Sequence, residues 1–149
     1  MRLVCDAMLG KLARYLRMLG LDAAYAPSRA ALERIGKIDP DRLLLTRRRS
    51  GGPSGFARTV RIDSEIAREQ LREVKALIAP YLSRETVFSR CIECNVVLAD
   101  VDKEDVEPSV PEFVYHNYTR FKTCPSCGRV YWEGSHSAGM AALIEEMFA

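Results

Sequence analysis

The chain has 149 residues, of which 48% are hydrophobic and 28% are charged, and its formal net charge is +2. A chain of this length can bury one ordinary hydrophobic core, or a small core with an appended element. The sequence contains no run of about twenty apolar residues, which argues against a membrane-spanning helix, and Asp6 interrupts the apolar stretch that a signal peptide needs. We therefore expect a cytoplasmic protein without membrane contact.

The charge is unevenly divided along the chain. Residues 1–80 contain 16 lysine and arginine residues against 9 acidic ones, a net charge of +7, whereas residues 81–149 contain 6 against 11, a net charge of −5. A basic half of this kind is typical of proteins that bind a polyanion, and nucleic acid is the first candidate. A solvated, arginine-rich surface without such a partner would have the same composition.

Short apolar segments alternate with helical patterns in the first half, which is typical of a parallel α/β sheet. The predicted elements are a strand at 2–6, a helix at 7–20, a strand at 21–26, a helix at 29–36, and strands at 42–46 and 57–62. A glycine-rich loop at 50–55 separates the last two strands. A further helix is predicted from Asp63 or Ser64 to about Ala79, where Pro80 ends it.

Two of these helices have a clear apolar face. The stripe of the first helix is formed by Leu9, Leu12, Leu16 and Leu19, and Gly20 is placed to cap the helix C-terminus. The inward face of the last helix is predicted to consist of Ile66, Leu71, Val74 and Ile78.

Four of the five cysteines form two Cys-x-x-Cys pairs in the second half. These are Cys91 with Cys94 and Cys124 with Cys127, whereas Cys5 lies in the first predicted strand. Disulfides are rare in a reducing compartment, and four thiolates match the preference of tetrahedral zinc. We predict a structural zinc ribbon with these four ligands; the alternative is a redox pair, which explains only one Cys-x-x-Cys at a time.

The surroundings of the cysteines fit a ribbon. Gly128 follows the second pair directly and permits the tight turn that points backbone N–H groups at the sulfurs. The 29 residues between the two pairs are long enough to form a hairpin. A closing helix is predicted from about Ser137 to Phe148, and it should pack on the ribbon or on the sheet.

In open parallel sheets, ligands bind outside the carboxyl ends of the strands. The residues predicted at those ends are Asp6, the segment from Thr46 to Arg49, and Asp63. The first helix adds Lys11 at the same edge, with Arg14 and Arg17 further along its polar side. Carboxylates among cations can hold a divalent ion beside a phosphodiester, although a solvated sheet rim has the same composition.

A series of motifs then makes the chain recognisable. The stretches "CDAMLGKLARYLRMLG", "LLLTR" and "REQLREV", the two cysteine pairs and "YWEGSH" occur in order along nearly the whole sequence. In these motifs the chain resembles the mut-seven C-terminal RNase family. The resemblance implies a PIN-like α/β domain at 1–80 and a four-cysteine zinc ribbon with a closing helix at 81–149. It also implies metal-dependent cleavage of RNA, with Asp6 as the first metal-binding acid.

The chain departs from the family pattern at its acidic positions. In the family the third-strand motif continues Thr-Arg-Asp, whereas this sequence has Arg48 at the position of the Asp. After the second strand only Glu33 is available, and it is shifted from the expected place. PIN-like cleavage needs several carboxylates to gather Mg²⁺ or Mn²⁺, and an arginine among them repels that ion.

Three hypotheses follow for the triple arginine, and they belong to different classes of function. In the first, the protein is a nuclease in which Asp6, with Asp63 and Glu33, holds one weakly bound ion. In the second, the protein binds RNA without cutting it, and the phosphates are held by Lys11, Arg14, Arg47, Arg48 and Arg49. In the third, the basic edge docks on an acidic protein partner. Phosphate contacts alone leave DNA open as a partner beside RNA.

The motif after the second cysteine pair permits two interpretations. Tyr131 and Trp132 can stack on RNA bases, or they can pack the ribbon against its neighbour, which is the commoner role. His136 can carry a proton or donate to a phosphate, or it can make a structural hydrogen bond.

Overall fold

The first layer of the protein is a four-stranded parallel sheet, as seen in a computed structural model that describes residues 1–49, 55–134 and 136–149. Its strands are β1 (Arg2–Cys5), β2 (Asp22–Tyr25), β3 (Leu43–Thr46) and β4 (Arg58–Arg61), in the order β2-β1-β3-β4. The predicted parallel α/β sheet is therefore confirmed. The predicted glycine-rich loop lies, apart from Gly55, outside the described residues.

Helices connect these strands at the predicted places. A 3₁₀ turn at Ala7–Leu9 leads into α1 (Gly10–Met18), and α2 (Arg29–Ile38) joins β2 to β3. Beyond β4 the chain forms α3 (Ala67–Glu73) and α4 (Lys75–Ile78). No helix of the described residues is long and apolar enough to cross a membrane.

The start of the last helical segment differs from the prediction. The helix begins at Ala67, not at Asp63 or Ser64, and Ile66 is 63% exposed, so its predicted inward position is wrong. The cause is Glu73, whose carboxylate accepts hydrogen bonds from the backbone N–H groups of Asp63 and Ser64, at 2.9 and 2.7 Å. These amides are held away from a helical path, and Ile66 keeps an extended backbone at φ −99° and ψ 124°.

The main core lies between the parallel sheet and α1. The whole predicted stripe of the first helix is fully buried, at Leu9, Leu12, Leu16 and Leu19. The opposite face of the sheet has a smaller cluster under α2, formed by Val4, Ala26, Leu32 and Leu44. Because both faces are covered, β3 is buried at all four positions, which explains its continuous apolar sequence.

Gly20 is required where the two halves of the chain meet. Its φ of +87° is the left-handed conformation of a helix C-cap, and a Cβ atom there would lie 2.3 Å from the carbonyl oxygen of Thr86. Two residues after Thr86, the backbone N–H of Phe88 donates to the carbonyl of Met18 at 2.9 Å. The end of α1 is thus covered by the chain that leads into the second layer.

The second layer is a three-stranded antiparallel sheet. It consists of β5 (Ala99–Val101), β6 (Phe121–Thr123) and β7 (Val130–Trp132), in sequential order. The predicted hairpin between the cysteine pairs is present as β5 and β6, but it also contains two short helices, α5 (Lys103–Val106) and α6 (Glu112–Asn117). Phe121 and Trp132 pack against these helices through Val106 and Val114.

The chain ends in α7 (Ala138–Phe148), the predicted closing helix. Leu143, Ile144 and Met147 join the core beneath the parallel sheet. On the surface, Glu146 pairs with Arg72 of α3 at 2.6 Å, and Glu145 pairs with Arg84 at 2.8 Å. The last helix therefore packs on the first layer, and the division of the chain at Pro80 stays a prediction.

Candidate nucleic-acid interface and metal centre

The strand order puts a topological switch point between β1 and β3. The chain runs from β1 to β2 on one side and crosses to β3 on the other, so the connections diverge at the carboxyl ends of β1 and β3. Such a switch point is where open α/β sheets bind ligands. Asp6 follows β1 directly and Thr46 ends β3, so the sheet brings these two predicted residues together.

Asp6 is buried at this switch point, and both oxygens of its carboxylate accept hydrogen bonds. The side chain of Asp6 is one of four buried polar or charged groups among the described residues, at 4% exposure. Its Oδ2 atom accepts a short hydrogen bond from the hydroxyl of Thr46, and its Oδ1 atom accepts from the backbone N–H of Met8 at 3.3 Å. The Thr46 hydroxyl oxygen in turn accepts from the backbone N–H of Arg48 at 3.1 Å.

The three arginines at this edge differ in burial and in their partners. Arg47 is partly buried, and its guanidinium donates to the carbonyl of Asp63 at 3.3 Å and lies 3.8 Å from the carboxylate of Glu65. Its Nε–H is buried without an acceptor among the described residues. Arg48 and Arg49 are exposed, and neither side chain pairs with a carboxylate of the described residues.

The other predicted acids do not join Asp6. Asp63 follows β4 at the same edge of the sheet, but its side chain is 76% exposed and pairs with Arg61 at 3.2 Å. Glu33 lies on the surface of α2 and pairs with Arg29 one turn earlier. Within the described ranges, no three carboxylate or histidine groups converge as a cation site would require.

The predicted cations of α1 lie on its exposed face. Lys11 and Arg14 are both exposed and stand one turn apart. Arg14 pairs with Glu93, and the amine of Lys11 lies over the ring of Tyr15. Arg17 was predicted on the same polar side, and this is wrong: its side chain is buried at 7% exposure.

The four predicted cysteine ligands come together in the second layer. The Sγ atoms of Cys91, Cys94, Cys124 and Cys127 all lie within 4.8 Å of one another, close enough to bind one metal ion. A tetrahedral site with zinc–sulfur bonds of about 2.3 Å has sulfur–sulfur edges of about 3.8 Å. Cys91 and Cys127 are 3.8 Å apart, so the donor set is consistent with structural zinc.

Both cysteine pairs use the same backbone pattern. In the first, the N–H of Asn95 donates to the carbonyl of Cys91, and in the second the N–H of Gly128 donates to the carbonyl of Cys124, each at 2.9 Å. Asn95 and Gly128 occupy equivalent places and both have positive φ, +63° and +77°. Asparagine is one of the few residues that tolerate this conformation, which identifies Asn95 as the counterpart of the predicted Gly128.

The hydrogen bonds around Cys91 favour its thiolate. Burial raises the pKa of Cys91, but hydrogen bonds from the Tyr131 hydroxyl and from the backbone N–H groups of Cys94 and Glu93 outweigh it and lower the pKa to about 7. The Tyr131 hydroxyl lies 3.1 Å from the sulfur. A deprotonated sulfur is the form that binds a metal ion.

Arg17 links the first cysteine pair to the parallel sheet, a role that sequence reasoning missed. Its guanidinium donates to the carbonyls of Ile92 and Glu93, at 2.9 and 3.2 Å, between the two cysteines of that pair. Its Nε atom donates to the carbonyl of Ala23 in β2 at 2.8 Å. Burial lowers the pKa of Arg17, and the nearby cysteines and Glu93 oppose that effect.

Asn95 completes this link from the other side. Its side-chain oxygen accepts from the backbone N–H of Ala23 at 3.0 Å, and its amide nitrogen donates to Asp22 at 2.7 Å. Ala23 belongs to an outer strand of the sheet. Both of its outward-facing backbone groups are therefore satisfied by side chains that also shape the first cysteine pair.

The parallel α/β sheet with a basic carboxyl edge and the four-cysteine cluster accompany a match to an RNA-acting, nuclease-like family. The model of the Mut7-C RNAse domain matches residues 1–144, and the chain belongs to that family. No curated protein matches the chain, and no solved structure matches it.

Proposed function

We propose that this protein binds RNA at the basic carboxyl edge of its parallel sheet and does not cut it with a divalent-metal site. The observation that carries the proposal is the state of Asp6. Both carboxylate oxygens are hydrogen-bonded inside the protein, and the residue after Thr46-Arg47 is an arginine where the family has an acid. In this arrangement Asp6 stabilises the junction of β1 and β3.

The cations at the edge are suited to holding phosphates. Arg48 and Arg49 are exposed beyond the end of β3, and Lys11 stands on the exposed face of α1. Arginine presents a planar fork of N–H donors that matches two phosphate oxygens.

We also propose that the ion held by the four cysteines is zinc and that its role is structural. All four positions of a tetrahedral site are filled by sulfur, which leaves no open position for a water or a substrate. The bound ion would hold the two cysteine pairs together, and Arg17 and Asn95 would transmit that order to the edge of the parallel sheet.

The salt dependence of RNA binding tests the proposed edge. In single strands each phosphate contact contributes roughly 0.7 to the slope of log K against log salt. Replacing Arg48 and Arg49 with glutamine should weaken binding and reduce the magnitude of that slope by about 1.4. The matched control is the double replacement of Arg34 and Lys37, which are exposed on α2 and change the net charge equally. Equal slopes in the two double variants would contradict phosphate contact at the edge.

A cleavage assay tests the absence of metal-dependent chemistry. The wild type and Asp6→Asn are incubated with end-labelled single-stranded and hairpin RNAs in Mg²⁺ and in Mn²⁺. We expect both proteins to leave the RNA intact under conditions where they bind it. Cleavage by the wild type that Asp6→Asn abolishes would establish a working nuclease in place of the proposed binding function.

A further inference from the structure

An aromatic hollow lies between the ribbon and the chain that enters it. Its volume is about 240 Å³. Its walls carry four rings and two cations, which are Phe88, Tyr131, Trp132, His136, Arg120 and Lys122. The role proposed for the sheet edge makes no use of these residues.

We propose that this hollow takes one unstacked base of single-stranded RNA, an inference that rests on the proposed RNA binding. The hollow is smaller than the roughly 300–1,000 Å³ of pockets for drug-sized ligands, so it suits a single flat ring system. Proteins that bind single strands stack bases on aromatic side chains and hold the backbone with cations. Both kinds of group line this hollow.

The backbone of Phe88 supports a functional role for its ring. Phe88 has a φ of +60°, a conformation that is rare and costly for a bulky side chain. Its N–H is fixed by the carbonyl of Met18, and its ring stacks on His136 with centroids 4.5 Å apart and planes at 27°. The strained backbone therefore holds a ring pair at the wall of the hollow.

A neighbouring groove connects the hollow to α1. Tyr131 and Trp132 also line a second, open depression of about 450 Å³, whose other walls include Arg14 and Arg129. α1 begins at the proposed RNA edge, and Arg14 lies one turn along this helix from Lys11. A single RNA strand bound at the sheet edge can therefore extend along α1 and this depression to the hollow.

The charges of this path complement a phosphate backbone, although the second half of the chain is acidic overall. Arg120, Lys122 and Arg129 are exposed along it, and no ion pair engages them within the described ranges. Of the acids on the path, Glu93 pairs with Arg14, and Glu133 lines the hollow. The carboxylate of Glu133 can accept a hydrogen bond from an exocyclic amino group, which adenine, cytosine and guanine carry, and adenine serves as the probe base.

Trp132 provides a direct readout, because it is the only tryptophan of the chain. The zinc-loaded full-length protein is titrated with 5′-AMP and with an adenosine oligoribonucleotide of about eight residues. The controls are ribose 5-phosphate and an abasic oligomer of the same length, which carry the phosphate without the base. We expect AMP and the adenosine oligomer to change Trp132 fluorescence, and the two controls to leave it unchanged.

Two variants assign the effect to the hollow. Phe88→Leu and His136→Gln should each weaken binding of the adenosine oligomer by about tenfold, because a stacked base is lost, and leave abasic-oligomer binding unchanged. Phe88 also packs on the core, so Phe88→Leu can unfold the protein. In that case His136→Gln alone tests the inference. Lys103→Gln is the matched control in the same half of the chain, where Lys103 lies over Tyr115 outside the hollow.

The outcomes separate this inference from the proposed edge. Equal binding of adenosine and abasic oligomers without a Trp132 response would overturn the base site and leave the edge intact. Conversely, a Trp132 response to AMP with no phosphate-dependent oligomer binding would support the base site and reject the edge. Replacing Arg48 and Arg49 should weaken both oligomers alike.

Discussion

The hydroxyl of Thr46 donates a hydrogen bond to the carboxylate of Asp6, and both side chains are almost completely buried where two adjacent parallel strands end. This bond joins β1 to β3 at the switch point of the sheet. The carboxylate of Asp6 therefore stabilises the switch point of the sheet. A nuclease would use the same carboxylate for catalysis.

Thr46→Val tests that structural contribution. Valine has nearly the same shape but no hydroxyl, so Oδ2 of Asp6 would stay buried without its donor. We expect the free energy of unfolding to fall by about 1–3 kcal/mol in urea denaturation. Thr59→Val on the exposed strand β4 is the control and should stay within about 0.5 kcal/mol of the wild type. Equal stability of the two variants would count against the bond.

Arg17→Met tests the link between the sheet and the first cysteine pair. Methionine fills a similar volume but leaves the carbonyls of Ala23, Ile92 and Glu93 without their donor. We expect a loss of at least about 1–3 kcal/mol of unfolding free energy and weaker zinc retention in competition with a chelator. Arg14→Met, one turn earlier and exposed, removes a surface ion pair worth about 0–1 kcal/mol. Zinc retention equal in the two variants would refute the link.

Asp22 makes the stability of this region depend on acid pH. Burial raises the pKa of Asp22, but hydrogen bonds from Arg42 and Asn95 and the charges of Arg42 and Arg90 outweigh it and lower the pKa. As the pH falls, Asp22 is therefore protonated in the unfolded chain before it is protonated in the folded protein. The stabilisation is complete above the unfolded pKa of about 3.9 and is lost as the pH falls through the lower folded value.

We expect the wild type to lose more stability than Asp22→Asn when the pH is lowered from about 5 to about 2. Chemical denaturation at a series of pH values measures both curves. Asp41→Asn, an exposed acid in the same half, should follow the wild type. Parallel curves for the wild type and Asp22→Asn would show that the pKa of Asp22 is not lowered.

Cys124→Ser tests the metal centre. We expect the wild type to hold one zinc ion per chain, and the variant to lose that ion and to unfold at lower denaturant, because serine replaces a buried thiol of the proposed donor set. Metal analysis of dialysed protein measures the first effect. Cys5→Ala is the control: burial raises the pKa of Cys5 to about 12, so this thiol is unsuited to bind metal. Zinc content that depends on Cys5 would reject the four-cysteine assignment.

The sequence predicted those parts of the fold that depend on local pattern. The buried leucines of α1 repeat with the helical period, and the four cysteines form two regular pairs, so both were correctly identified. The strand ends placed Asp6 beside Thr46 because parallel strands share one carboxyl edge. Arg48 stood out only through the resemblance to a family that has an acid at that position.

The remaining features depend on side-chain contacts that no local sequence pattern indicates. Glu73 holds the amides of Asp63 and Ser64, and no periodicity in the sequence indicates that contact. Arg17 follows Arg14 by three residues and has the same side chain, yet two of its three hydrogen-bond partners lie about 75 residues away. Of the residues that link the two sheets, Asn95 alone could have been recognised in the sequence, because it directly follows the first cysteine pair as Gly128 follows the second.

Asn95 and Arg17, whose side chains hydrogen-bond the two outward-facing backbone groups of Ala23, also determine whether another strand can join the sheet at β2. An outer strand with free N–H and C=O groups is a template for a strand from another molecule. Asn95 and Arg17 occupy those groups, and both are held in place by the first cysteine pair. Loss of order in the first cysteine pair would expose the N–H and C=O groups of Ala23, so the contacts that join the two sheets also protect the edge of β2 from pairing with another strand.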